Sequence, residues 1–282
     1  LVGSEMCIRD SRMTQRIAAC AFAAAILCIP ISAQAVQIAT HRALYSLSML
    51  SASPDSGITD VTGGLSFEWA DGCDGWTVEQ RYVMQFVRSD GSNVEVATTY
   101  VTWEAKDGLE YRFNVKRTTN GVDTEIISGT ATLESEGGPG VANFEQPEAQ
   151  RIELSPGTVF PTEHTLILIE KASAGERFDR HTVFDGSEAE GASPVTTVIL
   201  PQREAEVADV IEEPLGPAPV WPMQLAFYAA EGTAGPGEEL PDFELSLDLQ
   251  ANGVVTGLTL GFEEFKVKGQ LERIEPIPAP AC

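Results

Sequence analysis

The chain has 282 residues, 43% of them hydrophobic, and its 42 acidic residues outnumber 18 lysines and arginines to give a net charge of −24. So acidic a chain repels nucleic acid and anionic lipid surfaces, which excludes those partner classes. Most of the acidic residues are expected to serve solubility, and a basic partner remains open.

The first 35 residues are predicted to lie outside the folded domain. Residues 1–12, LVGSEMCIRDSR, fit nothing downstream and resemble a translated adapter, so we treat them as a non-native extension. Met13 then begins a segment with Arg16, an apolar run over 17–31 and the small-x-small site Ala33-Gln34-Ala35, which is the layout of a secretory signal peptide. We therefore expect a signal peptide over 13–35 and export to a Gram-negative periplasm.

The mature domain is expected to span 36–282, about 247 residues, which suits one large β domain or two small ones. Residues 1–35 carry three arginines and two acidic residues. Without them, 15 basic and 40 acidic residues remain, a net charge of −25.

Five cysteines are present, and the predicted cleavage removes Cys7, Cys20 and Cys28. Cys73 and Cys282 remain, and an even pair in an exported chain predicts a disulfide. Two free thiols are the alternative. A second alternative makes Cys20 a lipidation site, but most of the apolar core of the signal follows that cysteine, which argues against it.

Apolar residues alternate with polar ones through much of the chain, which predicts strands with one buried face. The apolar faces are Ala39, His41, Ala43, Tyr45, Leu47 and Met49; Val61, Leu65, Phe67 and Trp69; Trp76, Val78, Tyr82, Met84 and Phe86; Val94, Val96 and Tyr100; and Leu109, Tyr111, Phe113 and Val115. Ser89-Asp90-Gly91, Asp107-Gly108 and Asn120-Gly121 separate the later runs. Such dipeptides favour type I′ hairpin turns, so residues 60–134 are predicted to form an antiparallel meander.

One helix is predicted over 162–174, after Pro161, with Thr162 as N-cap and Gly175 just beyond its end. Its four consecutive apolar residues, 166–169, predict burial on most sides.

The remaining chain is predicted to be mostly strand. Runs at 178–184, 195–200, 224–230 and 265–274 and a hairpin around Asn252-Gly253 alternate in the same way, whereas 201–222 is acidic, carries five prolines and is expected to be an irregular loop. The tail 276–282 has three prolines and is expected to be an extended strap that brings Cys282 to Cys73. About a dozen strands, one helix and no repeat favour a single, mainly β domain.

Motifs for chemistry are few. Asp71-Gly72-Cys73-Asp74-Gly75-Trp76 resembles a calcium loop, but a cysteine takes a ligand position, so we interpret it as a structural turn. The histidines are His41, His164 and His181, and none lies in a recognised catalytic or metal-binding motif. We therefore assign no catalytic residue, metal ligand or cofactor, and name His41, Tyr45 and Trp76 as the candidate ligand pocket.

Several motifs together resemble the EipB family of periplasmic cell-envelope integrity proteins, once catalogued as a domain of unknown function. They are His41-x-Ala43-x-Tyr45-x-Leu47, Gly63-Gly64, Cys73-Asp74-Gly75-Trp76, Phe160-Pro161-Thr162 with His164, Phe184-Asp185-Gly186-Ser187, Asn252-Gly253-Val254 and the C-terminal Cys282. The resemblance covers nearly all of residues 36–282. It implies a β-spiral, which is a long antiparallel sheet bent into a half-open barrel with one buried helix and one disulfide, and a role in envelope integrity under stress without established catalytic residues.

Three functions remain open on the sequence. The first is a non-enzymatic, monomeric periplasmic protein that binds a lipid, a lipoprotein or a protein partner, with a chaperone resembling lipoprotein carriers as a variant. The second is a periplasmic hydrolase of envelope polymers centred on His41 and Tyr45. The third, an outer-membrane barrel, is disfavoured by the proline-rich tail and the acidic loops.

Overall fold

The structure is a computed structural model that describes residues 36–206, 215–216, 218–230 and 240–282. The predicted adapter-like extension and signal peptide lie outside these ranges. Eight antiparallel strands come first: β1 (His41–Ala52), β2 (Ile58–Asp71), β3 (Gly75–Arg88), β4 (Asn93–Ala105), β5 (Glu110–Thr119), β6 (Val122–Leu133), β7 (Gly140–Gln146) and β8 (Gln150–Leu154). The predicted meander is confirmed, and it continues through β7 and β8, which the alternation pattern did not reveal.

The second half of the chain contains the helix and the remaining strands. The elements are β9 (Thr158–Val159), α1 (Pro161–Ser173), β10 (Phe178–Val183), β11 (Ser193–Ile199), β12 (Val220–Phe227), β13 (Phe243–Gln250), β14 (Val255–Phe262) and β15 (Phe265–Pro276). No helix in the described ranges is long and apolar enough to cross a membrane.

All fifteen strands belong to one sheet that is almost closed into a barrel. The two halves join where β1 pairs with β15, and the sheet ends at β8 on one side and β9 on the other. These two end strands are consecutive in the chain and are separated only by residues 155–157. The predicted half-open, spiral sheet is therefore confirmed: the sheet coils until its edges come together without forming a ladder between them.

The hairpin turns differ in backbone conformation. Asn120 and Gly121 both have positive φ, at 51° and 75°, as a type I′ turn requires. At the two predicted Asp-Gly turns only the glycines, Gly91 and Gly108, have positive φ. The type I′ expectation is thus correct at Asn120-Gly121 and wrong at the other two. There the aspartates instead accept hydrogen bonds from backbone N–H groups two residues later, at Ser92 and Leu109.

The helix begins one residue earlier than predicted, and its N-cap is Phe160 rather than Thr162. Phe160 has no side chain that accepts hydrogen bonds. The carboxylate of Glu104 on β4 takes that role, because its two oxygens accept from the backbone N–H groups of Thr162 and Glu163 at 2.8 Å each. Gly175 has φ of +81° and ends the helix as predicted.

The predicted loop over 201–222 is too long, and its residues 207–214 and 217 lie outside the described ranges. β12 already begins at Val220 and includes Pro222. A proline is tolerated here because its carbonyl, and hence the side on which its N–H would lie, faces Leu200 just beyond the end of β11. The proline therefore removes no ladder bond to β13. The Leu200 carbonyl, which the missing N–H would face, accepts instead from the Arg177 guanidinium at 3.1 Å.

Three clusters of buried side chains fill the inside of the sheet. One lies under β1, β2 and β15, and a second under β5–β7. The third packs Leu168, Ile169 and Ala172 of α1 against β10–β13. The helix therefore occupies the concave face of the sheet, and its buried residues agree with the expectation of burial on most sides.

Phe184-Asp185-Gly186 ties together the two halves of the sheet near the place where its β8 and β9 edges meet, which we call the seam. The carbonyl of Asp185 accepts hydrogen bonds from the hydroxyls of Tyr100 and Tyr111, on strands from the opposite side of the seam. Gly186 has φ of +68°, and a Cβ there would lie 2.4 Å from the ring of Phe113. The motif fastens the chain after β10 to the inner face of β4 and β5, which explains its need for glycine.

Candidate functional site

Cys73 and Cys282 form the predicted disulfide, with their Cα atoms 5.8 Å apart. Cys73 lies in a turn at φ of 67°, and its backbone N–H donates to Asp71 at 2.8 Å. Lys106 binds the same carboxylate at 2.8 Å and lies 4.8 Å from the centre of the Trp76 ring. These contacts support the structural interpretation of the turn, which presents a cysteine to the C-terminal tail.

His41 lies in the core at 0% exposure. Its Nδ1–H donates to the carbonyl of Ala39 at 2.6 Å, and its ring packs 5.5 Å from that of Phe67. Burial lowers the pKa of His41 and outweighs the hydrogen bond to Ala39, so the imidazole is neutral at pH 7. The ring is shielded from any substrate outside the sheet.

Tyr45 and Trp76, the other predicted pocket residues, lie in different surroundings. The Tyr45 hydroxyl donates to the carbonyl of Val255 at 2.7 Å, and burial raises its pKa. Trp76 is partly exposed and packs edge-on against Trp69. The structure thus places His41 and Tyr45 in the core and Trp76 beside the disulfide, and the grooves described below are lined by other residues.

Five phenylalanines form a row at one end of the barrel-like sheet, opposite to the end that holds His41. Phe227, Phe243, Phe262, Phe265 and Phe86 follow one another with ring centroids 4.6–5.6 Å apart. All five are only partly buried although they face the inside. This phenylalanine row is an apolar surface that the rest of the described chain does not fully cover.

A second surface, which we call the outer groove, lies on the outward faces of β11–β15. It has two adjoining parts of about 380 Å³ and 230 Å³, which share Gln224, Ser246 and Thr259. Small residues, including Gly257 and Gly261, form its floor. The larger part alone falls within the range of ligand-binding pockets, and the lining of both parts is about equally polar and apolar.

Charged side chains stand along the outer groove. On one side Lys266 pairs with Glu244 at 2.9 Å, and Lys268 follows two residues later on β15. On the other side Arg203 pairs with Asp248 at 2.8 Å. The sequence analysis did not predict this groove, because its outward-facing threonines, serines and glycines have the pattern of an ordinary solvent-exposed strand face.

The structure also brings together two histidines that are 17 residues apart in sequence. His164 on α1 and His181 on β10 both contact the buried Asp179. Their three potential ligand atoms lie within 4.8 Å of one another, so these residues could hold a metal ion. Motif spacing missed this cluster, since its residues come from a helix and a strand.

Comparisons with known proteins agree with the fold. The model of the family described as EipB-like matches residues 32–278. The chain is 31% identical, over 86% of each sequence, to the cell envelope integrity protein EipB of Brucella abortus (strain 2308). A crystal structure of a β-barrel-like protein of domain of unknown function DUF1849, also from Brucella abortus, superimposes with a TM-score of 0.79 at 27% identity, covering 86% of this chain and all of that one. The chain therefore belongs to the EipB-like family.

Proposed function

We propose that this protein is a non-enzymatic periplasmic domain, residues 36–282, that supports cell-envelope integrity by docking a protein partner in the outer groove. The envelope role follows from family membership and from the name of the Brucella relative. We choose a protein partner over a lipid because the interior is filled: α1 packs on the concave face and takes the space that a carrier would need for a lipid. This arrangement favours a scaffold that binds on its outside.

The outer groove suits an extended polypeptide segment. The outward hydroxyl and amide groups of Ser246, Thr259 and Gln224 offer hydrogen bonds to such a segment. Lys266 is paired with Glu244, and Asp248 also lines the groove, so the groove offers a partner both signs of charge.

The proposal of a non-enzymatic role rests on the positions of the candidate residues. The neutral imidazole of His41 donates to the carbonyl of Ala39, and the Tyr45 hydroxyl donates to the carbonyl of Val255 in the core. Neither side chain is placed to reach a polymer substrate from solvent, which counts against the hydrolase hypothesis.

A single bulky substitution tests the outer groove. Ser246→Trp would fill the part shared by both halves of the groove without changing the core, and Thr132→Trp on the exposed face of β6 is the matched control. In a strain lacking the gene and challenged with an envelope-active detergent, we expect Thr132→Trp to rescue growth and Ser246→Trp to fail, with both proteins folded by circular dichroism. Full rescue by Ser246→Trp would contradict the docking proposal.

The phenylalanine row supports a second candidate function, which is binding of the acyl chain of a lipid or lipoprotein. Partly exposed aromatic rings inside a sheet form a surface on which an alkyl chain would gain burial. Delipidated protein should then bind a fluorescent fatty acid, and Phe262→Asp should abolish the binding while Val122→Asp, at an exposed position on β6, leaves it intact. Equal binding by both variants would eliminate this candidate.

A further inference from the structure

The cluster of His164, Asp179 and His181 lies between α1 and β10, apart from the outer groove and the phenylalanine row. Asp179 and His181 are two residues apart on a strand, so both side chains point to the same face, where the first turn of α1 presents His164. The Asp179 side chain is 0% exposed, that of His164 6% and that of His181 25%. The cluster is thus buried except on the His181 side, which leaves a route for a small ion.

Both imidazoles converge on one carboxylate oxygen. His164 Nε2 lies 3.2 Å and His181 Nδ1 2.8 Å from Asp179 Oδ2. Ligand atoms on a tetrahedral Zn²⁺ with bonds of about 2.0–2.2 Å stand roughly 3.3 Å apart, which is close to these separations. All three atoms lie within 4.8 Å of one another, so a modest rotation of the partly exposed His181 would bring them onto one ion.

Lys171 fits a supporting role rather than blocking the ion. Its Nζ lies 2.8 Å from Asp179 Oδ1, the other carboxylate oxygen, and leaves Oδ2 to face the histidines. Ligating carboxylates and histidines are usually held by contacts with groups outside the ligand set, and this ion pair would fix the orientation of Asp179 in that way.

The surroundings also favour a cation. Glu163 on α1 is close enough to His181 for their charges to interact, and the charges of Glu136 and Glu170 act on Glu163 as well. A divalent ion beside His181 would relieve this accumulation of negative charge.

We propose that His164, Asp179 and His181 bind one divalent transition-metal ion, with Zn²⁺ the best match to two imidazoles and one carboxylate. Three protein ligands leave the fourth tetrahedral position to water on the side of His181. The bound ion would tie α1 to β10 and stabilise the filled interior. This site is independent of the outer groove.

Direct metal binding tests the proposal on the mature chain without a polyhistidine tag. The protein is stripped with a chelator, dialysed and titrated with ZnCl₂ by calorimetry in excess Mg²⁺, which saturates sites made of carboxylates alone. We expect one Zn²⁺ per chain, with a Kd of about 1 µM or tighter, and a rise in Tm. The alternative is a cluster held by hydrogen bonds alone, for which neither effect would occur.

Matched variants locate the ion. His181→Gln should weaken zinc binding at least a hundredfold, whereas Arg180→Gln, the exposed neighbour on the same strand, should bind like the wild type. Equal affinity in the two variants would overturn the assignment.

Co²⁺ provides a measurement that needs no variant. A tetrahedral site in the wild-type protein should give an intense visible absorption band, and the weak band of octahedral cobalt, or none, would contradict the proposed ligand set. Failure of these metal tests would leave the detergent-rescue result for Ser246→Trp unaffected, so the two proposals fail separately.

Discussion

The two ends of the barrel-like sheet differ in how far their apolar side chains are buried. The end that holds His41, Trp69 and Ile274, which we call the closed end, is covered by the segment 38–40, which bonds to the turn after β13 and to Ile277, and these three residues are at most 6% exposed. At the opposite end, which we call the open end, the phenylalanine row faces the same interior and remains partly exposed. Strand alternation is the same at both ends, so the difference arises from what covers each end.

The largest expected effect concerns the disulfide at the closed end. Cys282→Ser removes the bond that joins residues 209 apart, for which the chain-entropy model gives an upper bound of about 5 kcal/mol. We expect a clear fall in Tm with little change in strand content by far-UV circular dichroism, because the tail is a strap and not a strand. The wild type with dithiothreitol is the control, and an unchanged Tm in oxidising buffer would show that the bond contributes nothing to stability.

Truncating one apolar side chain at each end measures the contrast directly. Ile274 is buried at the closed end, so Ile274→Ala should cost about 3 kcal/mol in the free energy of unfolding. Phe243 in the phenylalanine row is already partly hydrated, and Phe243→Ala should cost only about 1–2 kcal/mol although it removes a larger side chain. Urea denaturation checks both values; equal losses would mean that the open end is covered in solution.

An effect about as small as that at Phe243, but dependent on pH, concerns Glu104, whose strand neighbour across the β3–β4 ladder is Trp76. Burial raises the pKa of Glu104 to about 7, and the hydrogen bonds from the helix N-terminus only partly oppose it. Its folded pKa thus exceeds the value of about 4.3 expected when unfolded, so the folded state binds more protons in between. Stability from this group is therefore present at low pH and lost as the pH rises towards 7 and above.

We expect the wild type to lose about 2 kcal/mol relative to Glu104→Gln between pH 5 and pH 8, since glutamine does not titrate. The unfolding free energies of both proteins across that range give the comparison. Parallel pH profiles would show that the carboxyl group does not titrate there.

Much of the fold could be predicted from local pattern. The meander, the Asn120-Gly121 turn, the end of the helix at Gly175 and the C-terminal hairpin all depend on neighbours within a few residues. The strands β7–β9 were missed because they are short and flanked by glycine and proline. The start of β12 at Val220 was assigned to a loop because of Pro222. Whether a strand tolerates a proline depends on what lies opposite its missing N–H, which the sequence does not show.

The candidate sites were less predictable than the fold. Cys73 and Cys282 could be paired because the predicted cleavage left no other cysteines. The pocket of His41, Tyr45 and Trp76 stays a prediction: the structure buries the first two in the core and leaves Trp76 partly exposed, because alternation alone does not say whether a strand face opens to solvent. The outer groove depends on the curvature of five strands, and no single segment carries a signal for it.

The sequence by itself determined the alternation of the strands, most of their turns and the pair of cysteines left for a disulfide, because each follows from local chemistry or from counting. Only the tertiary structure decided which end of the sheet is covered, that Glu104 caps a helix 58 residues away, and that His164 and His181 share one carboxylate. These outcomes depend on how tightly a fifteen-stranded sheet coils around its helix. That coiling sums small twists and bends over every strand, so no short segment of the chain encodes it.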